Sequence, residues 1–325
     1  MLLGHTRRDL LLCGGAAAHA LTAGRRATAQ TSARRIVVPF APGGALDLVV
    51  RIVQPRLSEL LGQPVLVENR PGGSTVIATD AVAKAPADGS TLLAIADSFA
   101  INATLIRNTP YDAGRDFVAV AALTINAQVL VAGPGFAGTT FDDVLSAARA
   151  APGRLAYASS GNGSGAHLVG ETLRLAAGID LQHVPYRGGG LALQDLLGGR
   201  APLMVAQLPN VLPLIRDGRV RALAVPDAVR SPLLPEVPTF AEAGVPGVFG
   251  ITRYGLVARR EVPEAVLDRL NAAVNAALTD PAVAERLIAQ GATPRPISRS
   301  EFGAALASEI ARQGRIVRES GITLD

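Results

Sequence analysis

Two loops rich in glycine and small polar residues contain the residue types that bind small anions. The first, Pro39-Phe-Ala-Pro-Gly-Gly44, follows the β-branched run Ile36–Val38 and leads through Asp47 to an apolar-periodic stretch over Leu48–Leu61. This order predicts a strand, a loop and a helix. Backbone N–H groups in such a loop, beside the N-terminus of a helix, can hold a carboxylate or another small anion.

The second loop has the sequence Ser-Ser-Gly-Asn-Gly-Ser at 159–164 and precedes a predicted helix over Ala166–Ala177. If both loops face one ligand, their two helix N-termini would suit a solute with a carboxylate at each end. His167, three residues after Ser164, either caps the turn or contacts the ligand. Each loop also has a purely structural interpretation, in which the glycines make a turn and Asp47 or the serines cap the helix.

Further candidates follow other predicted strands. Ser98 and Phe99 come at the end of Thr91–Ala96, and Tyr186 and Arg187 follow a strand at 181–184. Arg187 could form a bidentate contact with a carboxylate or lie exposed at the rim of a site. The candidate ligand-binding residues are Phe40, Ala41, Gly43, Gly44, Asp47, Ser98, Ser160, Gly161, Gly163, Ser164, His167, Tyr186 and Gln207. We predict no catalytic residue, no metal site and no cofactor.

The composition indicates a folded chain that does not bind nucleic acid. Of 325 residues, 49% are hydrophobic and 18% are charged, enough for one large domain or two ordinary ones. Aromatic residues make up 4% and Trp is absent, which argues against a stacking platform for bases. The formal net charge is +4, but four arginines and one aspartate lie within 1–29, so the remainder carries only +1.

Residues 1–29 have the pattern of an export signal. A pair of arginines, Arg7-Arg8, precedes an apolar stretch at 10–21, and small residues precede Gln30. This pattern predicts cleavage near Ala29/Gln30 and a periplasmic location. Residues 6–11 also resemble a twin-arginine signal, so both export routes stay open. The single cysteine lies in this segment, which leaves the mature chain without a disulfide or a Cys-ligated metal.

Strand and helix patterns alternate through the rest of the chain and predict a mostly parallel sheet with helices on both faces. The two strand–loop–helix units lie about 120 residues apart, which suggests two α/β lobes. No segment beyond the signal resembles a membrane span. Further strands are predicted at 65–68, 91–96, 129–132, 154–159, 181–184, 221–225 and 254–258, and further helices at 74–84, 141–150 (capped by Thr140), 192–197, near Ala241, and at 263–278, 281–290 and 299–320.

Seven short stretches occur in a fixed order along the chain. They are 39–44 with Asp47, 67–72 (VENRPG), 87–89 (ADG), 157–164 with His167, 183–188 (HVPYRG), 221–225 (RALAV) and 237–244 (VPTFAEAG). Each is weak alone, but the ordered set is specific. Together they resemble the Bug family, the extracytoplasmic solute receptors of tripartite tricarboxylate transporters, from about Arg35 to the C-terminus.

The resemblance implies a type II periplasmic-binding-protein-like fold, a Venus flytrap of two α/β lobes with a central cleft. The two crossover strands would lie near 127–132 and 251–258. Lobe one would then comprise 34–130 plus 252–325, and lobe two 131–251. The resemblance also implies a non-catalytic receptor that holds a carboxylated solute in the cleft, partly through water. Such a receptor delivers its solute to a two-component membrane permease, although many members act without a neighbouring one. We expect a monomer.

Two positions depart from the family pattern. Family members often carry Asp-Asn before the Leu-Pro at 208–209, where this chain has Ala206-Gln207. The missing acid would weaken binding of an amine-bearing solute. A Trp often precedes the Tyr-Gly at 254–255, where this chain has Arg253. If Arg253 faces the cleft, it would favour a second negative group on the solute.

Enzyme and sensor interpretations compete with the receptor. Gly161-Asn-Gly-Ser-Gly-Ala166 fits the loose dinucleotide fingerprint of an NAD-dependent oxidoreductase. Asp180 lies about 20 residues further on, but it begins the next predicted strand, whereas the ribose-binding acid belongs at a strand's end. Neither Ser160 nor Ser164 lies in the Gly-x-Ser-x-Gly motif of a serine hydrolase. A ligand-binding sensor partner without transport stays open as a further alternative.

Overall fold

The computed structural model describes residues 33–320. The predicted export signal and its cleavage site lie outside the described residues. Strands and helices alternate along the described chain, with a short 3-10 helix at Gly73–Thr75. In chain order they are β1 (Arg34–Val38), α1 (Ala45–Leu61), β2 (Val65–Asn69), α2 (Val76–Ala83), β3 (Thr91–Ile95), α3 (Asp97–Leu105), β4 (Phe117–Ala132), α4 (Phe141–Ala150), β5 (Ala156–Ser159), α5 (Gly165–Ala177), β6 (Gln182–Pro185), α6 (Gly189–Leu197), β7 (Leu203–Gln207), α7 (Leu208–Arg216), β8 (Arg221–Ala224), β9 (Ile251–Arg259), α8 (Glu264–Thr279), α9 (Pro281–Ala289), β10 (Ala292–Pro294) and α10 (Arg299–Ser320).

The strands pair in the order β2-β1-β3-β9-β4-β7-β5-β6, and β8 and β10 also pair with β4. The outer strands pair in parallel, as β1 does with β2 and β3, and β5 with β6 and β7. The central strands β4 and β9 run antiparallel to their neighbours. The sheet is therefore mixed, and the parallel pairing predicted from the strand–helix alternation is found in its outer parts.

One long strand, β4, takes part in both halves of the sheet. Its residues 117–127 pair with β9, whereas its residues 128–132 pair with β7. The predicted crossover near 127–132 lies where β4 changes partners. One half contains β1, β2, β3, β9 and β10, and the other contains β5 to β8. Each half has its own apolar core, which confirms the two-lobe, Venus-flytrap class of fold.

Most predicted elements are confirmed within a few residues, and the differences have physical causes. Strand β4 was predicted only at 129–132, because its sixteen residues are buried on both faces and lack alternation. Helix α3 was missed because Asp97–Asn102 is buried all round and has no amphipathic period. The helix expected near Ala241 is wrong, because residues 240–244 form turns. Strands β7 and β10 and helix α7 were also missed.

Two helix starts show how local sequence fixes the fold. Thr140 caps α4 with its side chain, and Asp143 completes a capping box by accepting from the Thr140 N–H. Ser164 caps α5 by accepting from the N–H of His167 at 3.1 Å. The Thr140 cap was predicted, and the Ser164 cap is one of the two interpretations left open for the second loop. No helix within 33–320 combines the length and the apolar character needed to cross a membrane.

Candidate functional site

Two adjoining cavities lie between the two halves of the molecule. The inner one encloses about 370 Å³ and the outer one about 590 Å³, part of it open to solvent. They share the lining residues Phe40, Ser98, Ser160 and Ser164. The two predicted loops, 39–44 and 159–164, therefore do face each other across one continuous space.

The inner cavity is surrounded by the N-terminal ends of five helices. Its lining includes Gly44 to Leu46 of α1, Ala96 to Ser98 of α3, Ser164 and Gly165 of α5, Gly189 of α6, and Gln207 before α7. The first N–H groups of a helix have no intrahelical partner, and the helix dipole is positive at that end. No lysine or arginine is among the described residues that line this inner cavity. The arrangement therefore attracts an anion mainly through backbone groups.

The structure places eight of the thirteen predicted site residues on the cavity walls. These are Phe40, Gly44, Ser98, Ser160, Gly161, Ser164, Tyr186 and Gln207. Arg187 lines the outer cavity with them. The other five, Ala41, Gly43, Asp47, Gly163 and His167, line neither cavity. Phe99, named with Ser98, lies in the core against Phe117 rather than on the cavity wall.

Asp47 holds the first loop from behind. Gly44 is the N-cap of α1, so the interpretation of Asp47 as the cap is wrong. The buried Asp47 carboxylate accepts from the N–H of Gly43 at 3.0 Å, Arg51 Nε at 2.9 Å and Asn69 Nδ2 at 2.9 Å. Burial acts to raise the pKa of Asp47, but these hydrogen bonds hold it below its usual value. Asn69 also donates to the carbonyl of Phe40, a role that the 67–72 stretch did not reveal.

Two stacked histidines support the second loop. The rings of His167 and His183 lie 4.1 Å apart and are inclined by 12°. His167 Nδ1 accepts from the N–H of Gly163 at 3.3 Å, and His183 Nε2 lies 2.7 Å from Ser159 Oγ. The structure therefore places His167 beneath the loop, where it shapes residues 159–164 without forming part of the cavity wall.

The inner cavity has an acidic residue that the sequence analysis did not select. Asp97 is 6% exposed and accepts from Thr252 Oγ1 at 2.9 Å and from the N–H of Arg253 at 3.1 Å. Burial raises the pKa of Asp97 to about 7, against the lowering effect of these hydrogen bonds. Its position directly after β3 was the available signal.

Arg253 does not face the inner cavity. Its side chain is 44% exposed and lies 3.4 Å from Glu309 of α10. Because successive residues of a strand point to opposite faces, Arg253 points away from the cavity that its neighbour Tyr254 lines. The condition under which Arg253 would favour a second negative group on the solute is therefore not met.

A strained turn forms part of the outer cavity. Gly72, Gly73, Ser74 and Thr75 all have positive φ angles, of 121°, 55°, 50° and 78°. This is unfavourable for Ser74 and still more for the β-branched Thr75. Asn102 Nδ2 holds the turn by donating to the carbonyl of Ser74. Strain of this kind concentrates at ligand sites, and the predicted helix start at Ser74 gave no sign of it.

The two halves touch beside the cavities. The N–H of Ala41 donates to the carbonyl of Arg187 at 3.1 Å. Gly165 lies so close to the first half that a Cβ added to it would be 2.2 Å from Asp97 Oδ2. The structure therefore has the halves closed over the cavities.

The stacked histidines should make the fold sensitive to acid. Burial and the neighbouring His167 lower the pKa of His183 to about 3, and burial lowers the pKa of His167 while Glu171 opposes this. The folded state then binds fewer protons than the unfolded state. Their stabilising contribution is complete above about pH 6.5 and is lost as the pH falls toward 3. Each histidine can lower the free energy of unfolding by at most about 1.4 kcal/mol for each unit by which the pH falls.

The measurement is urea unfolding of the wild type and of His183→Gln at each pH from 7.5 to 4.5. We expect the free energy of unfolding to fall more steeply with acid in the wild type. Asp97 titrates in the opposite sense between 3.8 and about 7, so only the difference between the two proteins isolates the histidines. Equal slopes would contradict the prediction.

Comparison with known proteins agrees with this geometry. Residues 49–322 match the family model described as tripartite tricarboxylate transporter family receptor. Protein BugT of Bordetella pertussis is 38% identical over 292 residues, which cover 89% of this chain and 90% of that protein. The resemblance to the Bug family is thus confirmed.

Solved structures give the same result. An R. palustris protein with adipate has a TM-score of 0.86 at 34% identity, with 90% of this chain and 99% of that chain covered. MatC from Rhodopseudomonas palustris with bound malate has a TM-score of 0.83 at 34% identity, with 88% and 98% covered. The chain belongs to the family of tripartite tricarboxylate transporter receptors.

Proposed function

We propose that this protein is a periplasmic receptor that captures a carboxylated solute between its two lobes for uptake by a two-component permease. The observation that carries the proposal is the convergence of five helix N-termini on an inner cavity that no cationic side chain within residues 33–320 lines. Such an environment stabilises a carboxylate through N–H groups and helix dipoles. Two similar structures, with adipate and with malate, support this class of ligand.

The polar groups along the two cavities favour a solute with an anionic group at each end. One carboxylate would lie in the inner cavity, near the hydroxyls of Ser98, Ser160 and Ser164. The body of the solute would extend into the outer cavity toward Arg187, which is exposed and forms no side-chain hydrogen bond or ion pair within the described part of the chain. Tyr186 would contribute its ring, because its hydroxyl donates to Asp195 at 2.6 Å.

The lobe boundaries are part of the same proposal. Residues 34–130 plus 252–325 would form lobe one, and residues 131–251 lobe two. The separate apolar cores and the change of partners within β4 support this division. A solute that bridges the 39–44 and 159–164 loops would stabilise the closed form, because only in the closed form can it contact both lobes at once. We expect a monomer, exported after cleavage near Ala29/Gln30.

The placement of Asp180 disfavours the oxidoreductase alternative. Asp180 precedes β6, and its carbonyl accepts from the N–H of Gly153. The cavity lies at the other end of that strand, where Pro185 and Tyr186 line it. A ribose-binding acid would have to stand at that other end. A sensor partner would use the same cavity, and loss of solute uptake in cells lacking the gene would separate transport from sensing.

The test is a thermal-shift screen of the mature protein, unfolded and refolded first to remove carried-over solute. The panel contains mono-, di- and tricarboxylates, including adipate and malate, with NAD as the control. A ligand at one hundred times its dissociation constant stabilises the fold by about 2.7 kcal/mol. We expect a shift with a dicarboxylate and none with NAD. Two outcomes would contradict the proposal: a shift in melting temperature with NAD alone, or no shift with any carboxylate of the panel.

A further inference from the structure

The floor of the inner cavity holds one ionisable side chain that carboxylate capture does not explain. Asp97 lines this cavity beside Ser98 and Gly165. Its only hydrogen-bond donors within the described chain are Thr252 Oγ1 and the N–H of Arg253. No described lysine or arginine side chain forms an ion pair with it. A buried carboxylate without a cation is costly to keep ionised.

We propose that Asp97 binds a proton when an anionic solute occupies the cavity, so that the receptor takes up one proton together with its solute. This inference rests on the proposed function, because it assumes an anion in the inner cavity. Two negative charges in one desolvated space repel each other, and protonating the acid that belongs to the protein removes the repulsion.

The hydrogen bonds of Asp97 allow it to carry a proton with only a local rearrangement of its partners. A protonated carboxyl can donate to Thr252 Oγ1, because a hydroxyl accepts as well as donates. The Thr252 hydroxyl already accepts from Gln128 Nε2 at 2.9 Å. The second oxygen of Asp97 still accepts from the N–H of Arg253. The hydroxyl hydrogen of Thr252 then needs a new acceptor, and a flip of the Gln128 amide supplies one, its Oε1, which has no partner within the described chain.

The charged groups around Asp97 do not neutralise it. Arg253 and Arg312 are each paired with Glu309, at 3.4 Å and 2.6 Å. The charge of Glu309 favours the protonated form of Asp97, and the charge of Arg253 opposes it to a smaller extent. Among the described residues, the other titratable or charged groups that line a cavity together with Asp97 are Tyr254, Asp227, Arg295 and Glu301. His167 lies on α5, two residues after Gly165.

Closure of the lobes also favours the protonation of Asp97. Gly165 of α5 packs against the Asp97 carboxylate and Gln128, so that a Cβ at Gly165 would lie 2.2 Å from Asp97 Oδ2 and 2.8 Å from Gln128 Nε2. If the lobes separate, this contact opens and water reaches the carboxylate, which favours the ionised form. Solute binding and closure therefore both act in the direction of proton uptake.

The test is isothermal titration calorimetry of the mature protein with adipate and with malate at pH 8, in phosphate and in Tris. The difference in heat between the two buffers gives the number of protons taken up. We expect roughly 0.5 to 1 proton per solute for the wild type, and a dissociation constant that rises toward tenfold per pH unit above pH 8. Uptake of no protons by the wild type would overturn the inference.

Two variants test whether Asp97 is the residue that binds the proton taken up with the solute. Asp97→Asn mimics the protonated acid and should show no proton uptake and an affinity independent of pH from 7 to 9. Asp142→Asn, a matched change at an exposed residue of α4 that lines none of these cavities, should keep the wild-type uptake. Equal uptake by Asp97→Asn and the wild type would overturn the inference while carboxylate capture stands.

Ligand-free unfolding separates the two proposals. From pH 4.5 to about 7 the melting temperature of Asp97→Asn should rise relative to that of the wild type and stay level above that, because only the wild type must ionise a buried carboxyl. A constant difference would overturn the assignment of Asp97, whatever the protein binds. If no carboxylate binds while this relative rise is present, carboxylate capture and the proton uptake that depends on it both fail, and the buried acid remains.

Discussion

Replacement of Ser160 by aspartate is expected to weaken carboxylate binding roughly 200-fold while leaving the fold intact. Ser160 is 8% exposed, lines both cavities and follows β5. An aspartate there would add a negative charge where the solute carboxylate is proposed to bind. Two unit charges about 5 Å apart repel by about 3 kcal/mol at an effective dielectric constant of about 20. That energy corresponds to a roughly 200-fold rise in the dissociation constant.

Ser160→Asn is the matched control, because it has nearly the same volume without the charge. We expect it to weaken binding tenfold at most, so the gap between the two variants measures the electrostatic part. Calorimetry with the best carboxylate of the screen gives both constants, and circular dichroism verifies the fold. Similar losses in Ser160→Asn and Ser160→Asp would show that shape, rather than charge, controls this position.

Gly165→Ala is expected to hold the two lobes apart. The added Cβ would lie 2.2 Å from Asp97 Oδ2 and 2.8 Å from Gln128 Nε2, and both partners are buried. Both side chains are held by hydrogen bonds to Thr252 Oγ1, so moving either one would break a buried contact, and we expect the lobes to separate instead. Overpacking of this kind costs about 1–3 kcal/mol. Because closure is part of binding, the solute affinity should fall roughly 5- to 150-fold.

Gly303→Ala in α10 is the control, since its added Cβ would meet its nearest neighbour at an ordinary 3.7 Å. It should bind like the wild type. Small-angle X-ray scattering should show a larger radius of gyration for Gly165→Ala than for Gly303→Ala. In a Gly165→Ala protein, a further Asp97→Ala change should restore part of the closure, because it removes the overlap with Asp97 Oδ2 and leaves that with Gln128 Nε2. Unchanged affinity in Gly165→Ala would show that the contact between α5 and α3 is not part of the bound state.

The binding loops could be predicted because their signals are local. A β-branched run, a Pro/Gly loop and an amphipathic stretch indicated the starts of α1 and α5 without any tertiary information. The starts of α3 and α7 also reach the inner cavity, but α3 is buried on nearly every side and α7 contains two prolines. Helix α3 therefore lacks the amphipathic pattern that marks a helix. Helix α7 has that pattern, but its two prolines, Pro209 and Pro213, indicated a loop rather than a helix.

Side-chain direction was the harder part of the site. Successive side chains of a strand point to opposite faces, so Arg253 would have been predicted to point away from the cavity if Tyr254 had been known to face it. The pairing of Asp47 with Asn69 joins residues 22 positions apart, and the stacking of His167 on His183 joins α5 to β6. Such contacts depend on how the helices pack on the sheet, and local spacing does not encode that packing.

The shared strand β4 limits how this protein can diversify. Its residues hydrogen-bond to β9 and β10 at one end and to β7 and β8 at the other. A lobe taken from a relative would have to pack against one end of β4. The other end of the same strand belongs to the lobe that was not exchanged. Exchange of whole lobes between relatives is therefore constrained, whereas the loops at the cavity can change one at a time. New solute preferences in this architecture should arise by loop substitution rather than by shuffling of lobes.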